Sequence, residues 1–464
     1  MRIAIVGAGP SGLFAAQALL DRLPEAEVDI FDRLPTPFGL LRYGVAPDHA
    51  SIKSIATALA RVFDSPRVRF LGLVELGRQV GVDELRACYD AVVLAAGASE
   101  DRRLGVPGED LPGSGSAREF VAWYSGHPDA SPQSLDGVRT AVTVGVGNVA
   151  IDVARILLKD AADLAPTDMP DAVLAELSAA RIAEVWVIGR RGPEHASFTT
   201  PELRELLALP GLAVEVAGLA EVDEADLDRR TRANLAALRA AAAAAVPAEP
   251  RARLHLLFWH RPVRLEGDGR VARLVLERTV PAGPGAVAGT GEYRGIDTEL
   301  VLRAIGYRGV PLPGVPFDEH TGTIPNREGR VLGPDSEPRP GEYAVGWIKR
   351  GPIGVIGTNK ADAVETVAHL VEDVTALPSR PRPRLDEVLA ARGVVPSTLA
   401  DWRRIDAAEV GRGQEQGRDR SKIDAWHELL DLVRSGHPGG PASVADRPGA
   451  EAGLLVGDNG APPQ

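Results

Sequence analysis

The first hundred residues alternate apolar runs with one stretch of helical spacing. Apolar runs at 2–6, 27–32 and 91–95 predict strands, and apolar positions in 12–23 recur with the period of a helix. Strands that alternate with helices imply a parallel sheet with right-handed crossovers. We therefore expect a β-α-β unit at the start of the chain.

The same pattern returns in the second hundred residues. It predicts a strand at 139–144, a helix at 149–158 and a strand at 183–188. Residues 159–182 lengthen this second unit beyond an ordinary crossover. The pattern indicates an α/β fold with two Rossmann-like units.

The rest of the chain has weaker patterns, and each gives one expectation. We predict a helix at 233–246, strands with a turn between 254 and 276, an exposed loop at 281–291, a buried strand in 301–309, one or two helices between 386 and 433, and a disordered tail from 436 onward.

Length and composition place the chain among globular proteins. Its 464 residues favour two or three domains, and 44% hydrophobic and 25% charged residues are close to average. No run of 18 apolar residues predicts a membrane span, and the N-terminus has no export leader, so we expect a cytoplasmic protein. The net charge of −12 offers no general attraction to nucleic acid or to an anionic membrane.

Cys88 is the only cysteine of the chain. One cysteine cannot form an internal disulfide, a Cys-x-x-Cys redox pair or an iron–sulfur site, and we expect no metal site. Cys88 lies beside a predicted strand, where a buried packing role is its ordinary use.

The first candidate site is a glycine turn between the first strand and its helix. Gly7 suits the tight turn, Gly9 allows close approach of a pyrophosphate, and Gly12 allows close helix–sheet packing. Asp32 ends the next strand, where a carboxylate accepts hydrogen bonds from ribose hydroxyl groups and repels a 2′-phosphate. This arrangement predicts a dinucleotide site without a 2′-phosphate, as in FAD.

A second glycine turn opens the second unit. Gly145 and Gly147 repeat the spacing, with Ala150 in the third place. Its second strand ends in Arg190 and Arg191, whose guanidinium groups suit a doubly charged 2′-phosphate. The alternative is that both arginines are solvated surface charges. The sequence favours NADP here, and two dinucleotides in one chain favour hydride transfer between them.

Several longer segments resemble the adrenodoxin-reductase type of ferredoxin–NADP reductase, which includes bacterial members. The similarity covers roughly residues 2–435. The segments are GAGPSG at 7–12, PFGLLRYGVAPDH at 37–49, GVGNVAIDVARILL at 145–158, GRRGPEHASFTTPELREL at 189–206 and GWIKRGPIGVIGTNKADAVET at 346–366.

The resemblance assigns binding residues position by position. For FAD it implies Ser11, Asp32, Leu40, Leu76, Trp347, Gly354, Val355 and Ile356. For NADP it implies Val146, Gly147, Asn148, Val149, Arg190, Arg191, Glu202 and Gly354. Near the nicotinamide and flavin it implies His49, Asp152 and Glu205, which would orient the nicotinamide or manage a flavin proton. Asp32 departs from the glutamate that is frequent at its position.

Each of these polar residues also has a plain structural alternative. His49 follows Pro-Asp and suits a turn, and Asp152 lies in the first turn of a predicted helix, where the dipole favours a carboxylate. Glu202 and Glu205 follow Thr-Pro, a helix-start signature, so either one suits a first turn. Trp347 suits core packing.

The resemblance implies two Rossmann-like dinucleotide-binding domains, the NADP domain inserted into a discontinuous FAD domain. The expected division is 1–105 and 320–435 for FAD, 106–319 for NADP, and 436–464 as the tail. The implied activity passes hydride from NADPH to FAD and then single electrons to an acidic ferredoxin-type iron–sulfur protein. The alternatives are an NADPH-dependent flavin oxidase or diaphorase, and a non-catalytic redox sensor.

An acidic partner would need a basic patch on this acidic chain. The resemblance places four candidate cations near the flavin, namely Arg42, Lys53, Lys349 and Arg350.

Overall fold

The computed structural model describes residues 1–220, 222, 227–354, 356–377 and 381–436. Val355 lies outside these residues, as does the predicted tail after Gly436.

A seven-stranded sheet contains the first glycine turn. In spatial order its described strands are Asn326–Arg327, Arg330–Leu332, Pro338–Ala344, Ala91–Leu94, Arg2–Val6, Glu27–Phe31 and Val68–Leu71. The central strands are buried along almost their whole length, as is typical of parallel strands covered on both faces. Ile3 pairs with both Val28 and Ala91 in the parallel register.

This sheet is formed by two segments of the chain that are far apart in sequence, and one parallel pairing joins them. Glu342 pairs with Val92, and Ala344 with Leu94, so a late strand extends the sheet of the N-terminal strands. The predicted fold class is confirmed: one α/β unit is inserted within another.

A six-stranded sheet contains the second glycine turn. Its strands, in spatial order, are Ser114–Ser116, Leu300–Arg303, Thr140–Val144, Glu184–Ile188, Ala252–Leu257 and Leu212–Ala217, and all its pairings are parallel.

Two smaller antiparallel sheets complete the strands of the described chain. One consists of His260–Glu266, Arg273–Pro281 and Val287–Asp297, and the other of Glu100–Asp101 and Tyr307–Arg308. The loop predicted at 281–291 is therefore wrong in part, because its second half begins the strand Val287–Asp297. Gly289 there pairs with Thr279, and this ladder overrides the glycine-rich local composition.

The helices surround the two larger sheets. The α-helices are Pro10–Arg22, Leu40–Tyr43, Ala50–Lys53, Ile55–Ala60, Val82–Cys88, Ala117–Tyr124, Asn148–Leu158, Ala161–Leu164, Asp171–Ala179, Thr200–Leu207, Arg229–Ala243, Trp347–Arg350, Ile356–Asp373, Leu385–Ala391, Leu399–Glu415 and Trp426–Arg434. Three-residue to four-residue 3₁₀ turns lie at Arg61–Asp64, Pro193–His195 and Val374–Ala376. None of the helices in the described ranges combines the length and the apolar character that crossing a bilayer requires.

The C-terminal region has three helices where the pattern predicts one or two. The breaks have local causes. Thr398 and Asp401 form a capping box that starts the helix Leu399–Glu415, and Gly417 has a positive φ of 73° just after that helix.

Candidate functional site

The first glycine turn is closed by the backbone around it. Gly7 has a φ of 114°, and a Cβ atom there would lie 2.4 Å from the Ala95 carbonyl oxygen. A Cβ atom on Gly12 would lie 2.0 Å from the Gly7 carbonyl oxygen. Both positions therefore require glycine, for the turn and for helix packing respectively.

The helix that follows this turn begins without a side-chain cap. Gly9 is its N-cap residue, so the first backbone N–H groups have no side-chain acceptor. A Cβ atom on Gly39 would lie 2.9 Å from Gly9 Cα, and one on Gly346 would lie 2.1 Å from Ser11 Oγ. Three distant segments thus meet around a helix terminus that is suited to a pyrophosphate.

Asp32 lies at the carboxyl end of the neighbouring strand, as predicted. Its two carboxylate oxygens accept hydrogen bonds from the N–H groups of Ala8, at 2.9 Å, and Leu34, at 3.0 Å. Burial raises the pKa of Asp32 despite these hydrogen bonds. The residue holds the glycine turn in place, and its oxygens have further lone pairs for ribose hydroxyl groups. The turn and its acid fit the FAD that the sequence implies.

The second glycine turn has the same construction. Gly145 has a φ of 138°, and a Cβ atom there would lie 2.2 Å from the Ala304 carbonyl oxygen. Gly147 is the N-cap of the helix Asn148–Leu158, again without a side-chain cap. Asn148 Oδ1 accepts a hydrogen bond of 2.8 Å from the Thr199 N–H, which holds the later loop over the helix start.

Arg190 and Arg191 lie beyond the adjacent strand with their main chains anchored. The Arg190 carbonyl accepts from Thr279 Oγ1 at 2.8 Å, and the Arg191 carbonyl accepts from the Trp259 N–H at 3.2 Å. Neither guanidinium group forms a hydrogen bond or ion pair within the described residues. Buried Glu202 Oε2 also has no hydrogen-bond partner among them. Free donors beside a glycine turn fit the 2′-phosphate of NADP.

The three residues predicted near the nicotinamide and flavin are brought together. His49 Nε2 lies 3.0 Å from Asp152 Oδ1, and His49 Nδ1 lies 3.5 Å from Glu205 Oε2. His49 and Asp152 are largely buried, whereas the Glu205 side chain is 52% exposed. The contacts join segments that are more than 100 residues apart.

Arg155 organises this cluster, and sequence reasoning missed it. Its guanidinium group contacts Asp48 at 2.7 and 3.0 Å, Asp152 at 2.9 Å and Glu205 at 3.4 Å. Arg155 follows Asp152 by three residues in the same helix, and this i, i+3 spacing predicts the contact between their side chains. Its contact with Asp48 depends on tertiary structure.

The cluster has a definite charge pattern. Burial alone would raise the pKa of Asp48, yet Arg155 and Lys159 lower it to about 2. Burial disfavours a charged His49, but the hydrogen bond and charge of Asp152 outweigh it, so the pKa of His49 is raised. His49 therefore lies between the carboxylates of Asp152 and Glu205, and Arg155 Nη2 lies 3.0 Å from its Nε2.

The other predicted FAD contacts lie in different surroundings. Leu40 is 37% exposed and close in sequence to Gly39, whereas Leu76 is 9% exposed and belongs to the core of the first sheet. The Trp347 ring lies 5.5 Å from that of Tyr307, and its buried indole N–H has no hydrogen-bond partner in the described chain. Gly354 has a φ of 91°, and Ile356 begins a helix.

The four cations proposed as candidates for a docking patch all form contacts within the fold. Arg42 is 7% exposed and forms a buried ion pair with Glu409, and Lys53 pairs with Asp168. Lys349 contacts Asp362 at 3.0 Å and Glu365 at 2.6 Å, and Arg350 donates to Asn359 and to the Ile353 carbonyl. These cations stabilise the fold through contacts that the local sequence does not reveal.

Comparison with known proteins gives consistent similarities. Residues 1–192 match the family described as pyridine nucleotide-disulphide oxidoreductase. The chain is 46% identical to NADPH-ferredoxin reductase FprA of Mycobacterium tuberculosis over 459 residues, covering 93% of this chain and 98% of that protein. It is 42% identical to human mitochondrial NADPH:adrenodoxin oxidoreductase, covering 93% and 92%.

A solved structure shows the same likeness in three dimensions. The structure of Mycobacterium tuberculosis FprA in complex with NADPH aligns with a TM-score of 0.86 at 44% identity. The alignment covers 94% of this chain and 99% of that one.

Proposed function

The chain belongs to the adrenodoxin-reductase family of NADPH-dependent ferredoxin reductases, and we propose how its residues perform that activity. It is an oxidoreductase that uses FAD and NADP and whose electron acceptor is a ferredoxin-type iron–sulfur protein. When bound, the two cofactors supply hydride transfer from NADPH to FAD and single electrons to the acceptor.

One structural observation carries the assignment of each dinucleotide to its site. The two glycine turns are alike, but Asp32 follows the adjacent strand Glu27–Phe31 at the first, whereas Arg190 and Arg191 follow the adjacent strand Glu184–Ile188 at the second. We infer that the first turn holds FAD with Ser11 and Gly9, and that the second turn holds NADP. The opposite charges at the two ribose positions support this assignment.

The buried cluster supports a role for His49 between the two sites. Asp152 favours the imidazolium and Arg155 fixes the carboxylates. We infer that His49 holds a proton near the reacting rings, and that Asp152 and Glu205 position it. Glu202, with its unpartnered oxygen, is proposed as an NADP contact.

The proposed division into domains is 1–105 with 320–435 for FAD and 106–319 for NADP. The parallel pairing of Glu342 with Val92 supports the first assembly. The cytoplasm is the proposed location, and cell fractionation tests it.

Anaerobic reduction of the purified protein tests the activity. NADPH should bleach the flavin spectrum within seconds, and a ferredoxin added at micromolar concentration should be reduced with saturation. Oxygen or dye reduction without saturable ferredoxin reduction would support the oxidase or diaphorase instead. A flavin that NADPH does not bleach would support the redox sensor.

A further inference from the structure

A cavity lies at the amino-terminal ends of strands of the inserted sheet, opposite the second glycine turn. Its volume is about 330 Å³, and Arg139, Lys159, Arg181 and Arg251 contribute to its lining. Arg139 immediately precedes the strand Thr140–Val144, whose other end leads into the glycine turn. Dinucleotides in such folds bind at the carboxyl ends of the strands, so the NADP site does not account for this cavity.

The charge of the lining points to an anion. Four basic residues and one acidic residue, Asp160, line the cavity, and Asp160 Oδ1 already accepts a hydrogen bond from the Ala162 N–H at 3.0 Å. A cavity of about this volume is large enough for a small metabolite. The planar, positively charged guanidinium group donates paired hydrogen bonds whose geometry suits phosphate oxygens, and its charge favours an anion over an uncharged ligand.

Two of the arginines use only part of their donor capacity. Arg181 donates through Nη1 to the carbonyls at the end of the helix Asp171–Ala179, and Arg251 donates through Nη2 to the Leu158 carbonyl at 2.5 Å. These contacts orient the guanidinium groups, and the Nε and second Nη groups form no hydrogen bond within the described residues. The two side chains are therefore held in place beside the cavity.

Arg139 is the lining cation that folding leaves free. Its exposed side chain forms no hydrogen bond or ion pair within the described ranges of the chain. Lys159, in contrast, forms an ion pair, with its Nζ 3.0 Å from Oδ2 of Asp48 in the cluster around His49. The cavity thus touches a residue that also contacts the proposed reaction site.

From these contacts we propose that this cavity binds a small, multiply charged phosphate compound. Arg139 is the ligand contact that no structural role explains, while Arg181 and Arg251 are oriented contacts. Lys159 is shared between the phosphate and Asp48. This inference does not depend on the proposed electron acceptor.

Calorimetric titration of the FAD-loaded protein with inorganic pyrophosphate tests the site. NADP⁺ is kept saturating, so that the pyrophosphate cannot bind at Arg190 and Arg191. We expect one further binding event per chain, and Arg139→Glu should weaken it at least tenfold. Because the Arg139 side chain forms no hydrogen bond or ion pair with the residues that the structure describes, the variant should keep its flavin content and melting temperature.

A matched control makes the same charge change elsewhere. Arg270 is exposed in the turn between His260–Glu266 and Arg273–Pro281, so Arg270→Glu should bind pyrophosphate like the parent protein. Pyrophosphate that NADP⁺ displaces completely would overturn the proposal. Equal weakening by both variants would also overturn it, because general charge would then explain the binding.

Discussion

The ammonium group of Lys422 lies 3.2 Å from the carboxylate of Asp168 in the interior of the protein. The same group donates to the carbonyls of Arg42, at 2.6 Å, and Ser125, at 3.0 Å. Lys53 also pairs with Asp168. Lys422 thereby ties the C-terminal region to segments of both larger α/β units.

Lys422→Met should destabilise the protein by about 2–4 kcal/mol, because it leaves two buried carbonyls unsatisfied and removes one partner of a buried carboxylate. Urea unfolding measures the change. Lys360→Met, at an exposed position, is the matched control and should be nearly neutral. Equal effects of the two substitutions would contradict the role of Lys422.

The effect of Lys422→Met should also grow as pH rises above 7. Burial lowers the pKa of Lys422 to about 7, whereas lysine in the unfolded chain titrates near about 10.4. Between these values the unfolded chain binds more protons, so the parent protein gains stability with pH relative to the variant. Unfolding of both proteins at several pH values between about 7 and 9 checks this expectation. A difference that stays constant over this range would show that Lys422 does not titrate there.

Asp152→Asn should move the pH dependence of flavin reduction to lower pH. The substitution removes the carboxylate that raises the pKa of His49, so His49 loses its proton earlier as pH rises. Stopped-flow bleaching of the flavin by NADPH gives the profile. Glu205→Gln should shift it less, because Glu205 is more exposed and lies 3.5 Å from His49. An unchanged profile in Asp152→Asn would assign the titration to another group.

Replacing both Arg190 and Arg191 with alanine should raise KM for NADPH and leave KM for NADH nearly unchanged. A hydrogen bond to a charged group is worth about 1.5–3 kcal/mol, so each arginine accounts for roughly ten-fold to a hundred-fold in affinity. Steady-state reduction of ferricyanide with either cofactor measures the ratio. Equal losses with NADH and NADPH would mean that the arginines act through the fold.

Asp32→Ala should lower FAD retention, since it removes the acceptor for the Ala8 and Leu34 N–H groups together with the proposed ribose contact. The ratio of flavin to protein absorbance after gel filtration measures retention. Asp21→Ala is the control on the neighbouring helix, where the exposed Asp21 accepts a hydrogen bond from Gln17. Full flavin content in Asp32→Ala would remove Asp32 from the FAD site.

The amino-acid sequence by itself determined the two glycine turns, their strands and helices, and the opposite charges at Asp32 and Arg190. These features depend on local backbone geometry: Gly7 and Gly145 need φ values that other residues rarely adopt, and periodic apolar positions define the adjoining elements. The segments that resemble the adrenodoxin-reductase family added the assignment of His49, Asp152 and Glu205. The pattern of apolar and polar positions alone does not connect these three residues.

Only the tertiary structure decided which charged side chains form ion pairs inside the protein. The local sequence around Arg42 and Lys53 predicts exposed cations. Their carboxylate partners are distant, because Glu409 lies 367 residues from Arg42 and Asp168 lies 115 residues from Lys53. The strand Val287–Asp297 likewise depends on its ladder with a neighbour. Such contacts are non-local, and their energies depend on burial, which no local pattern of residues specifies.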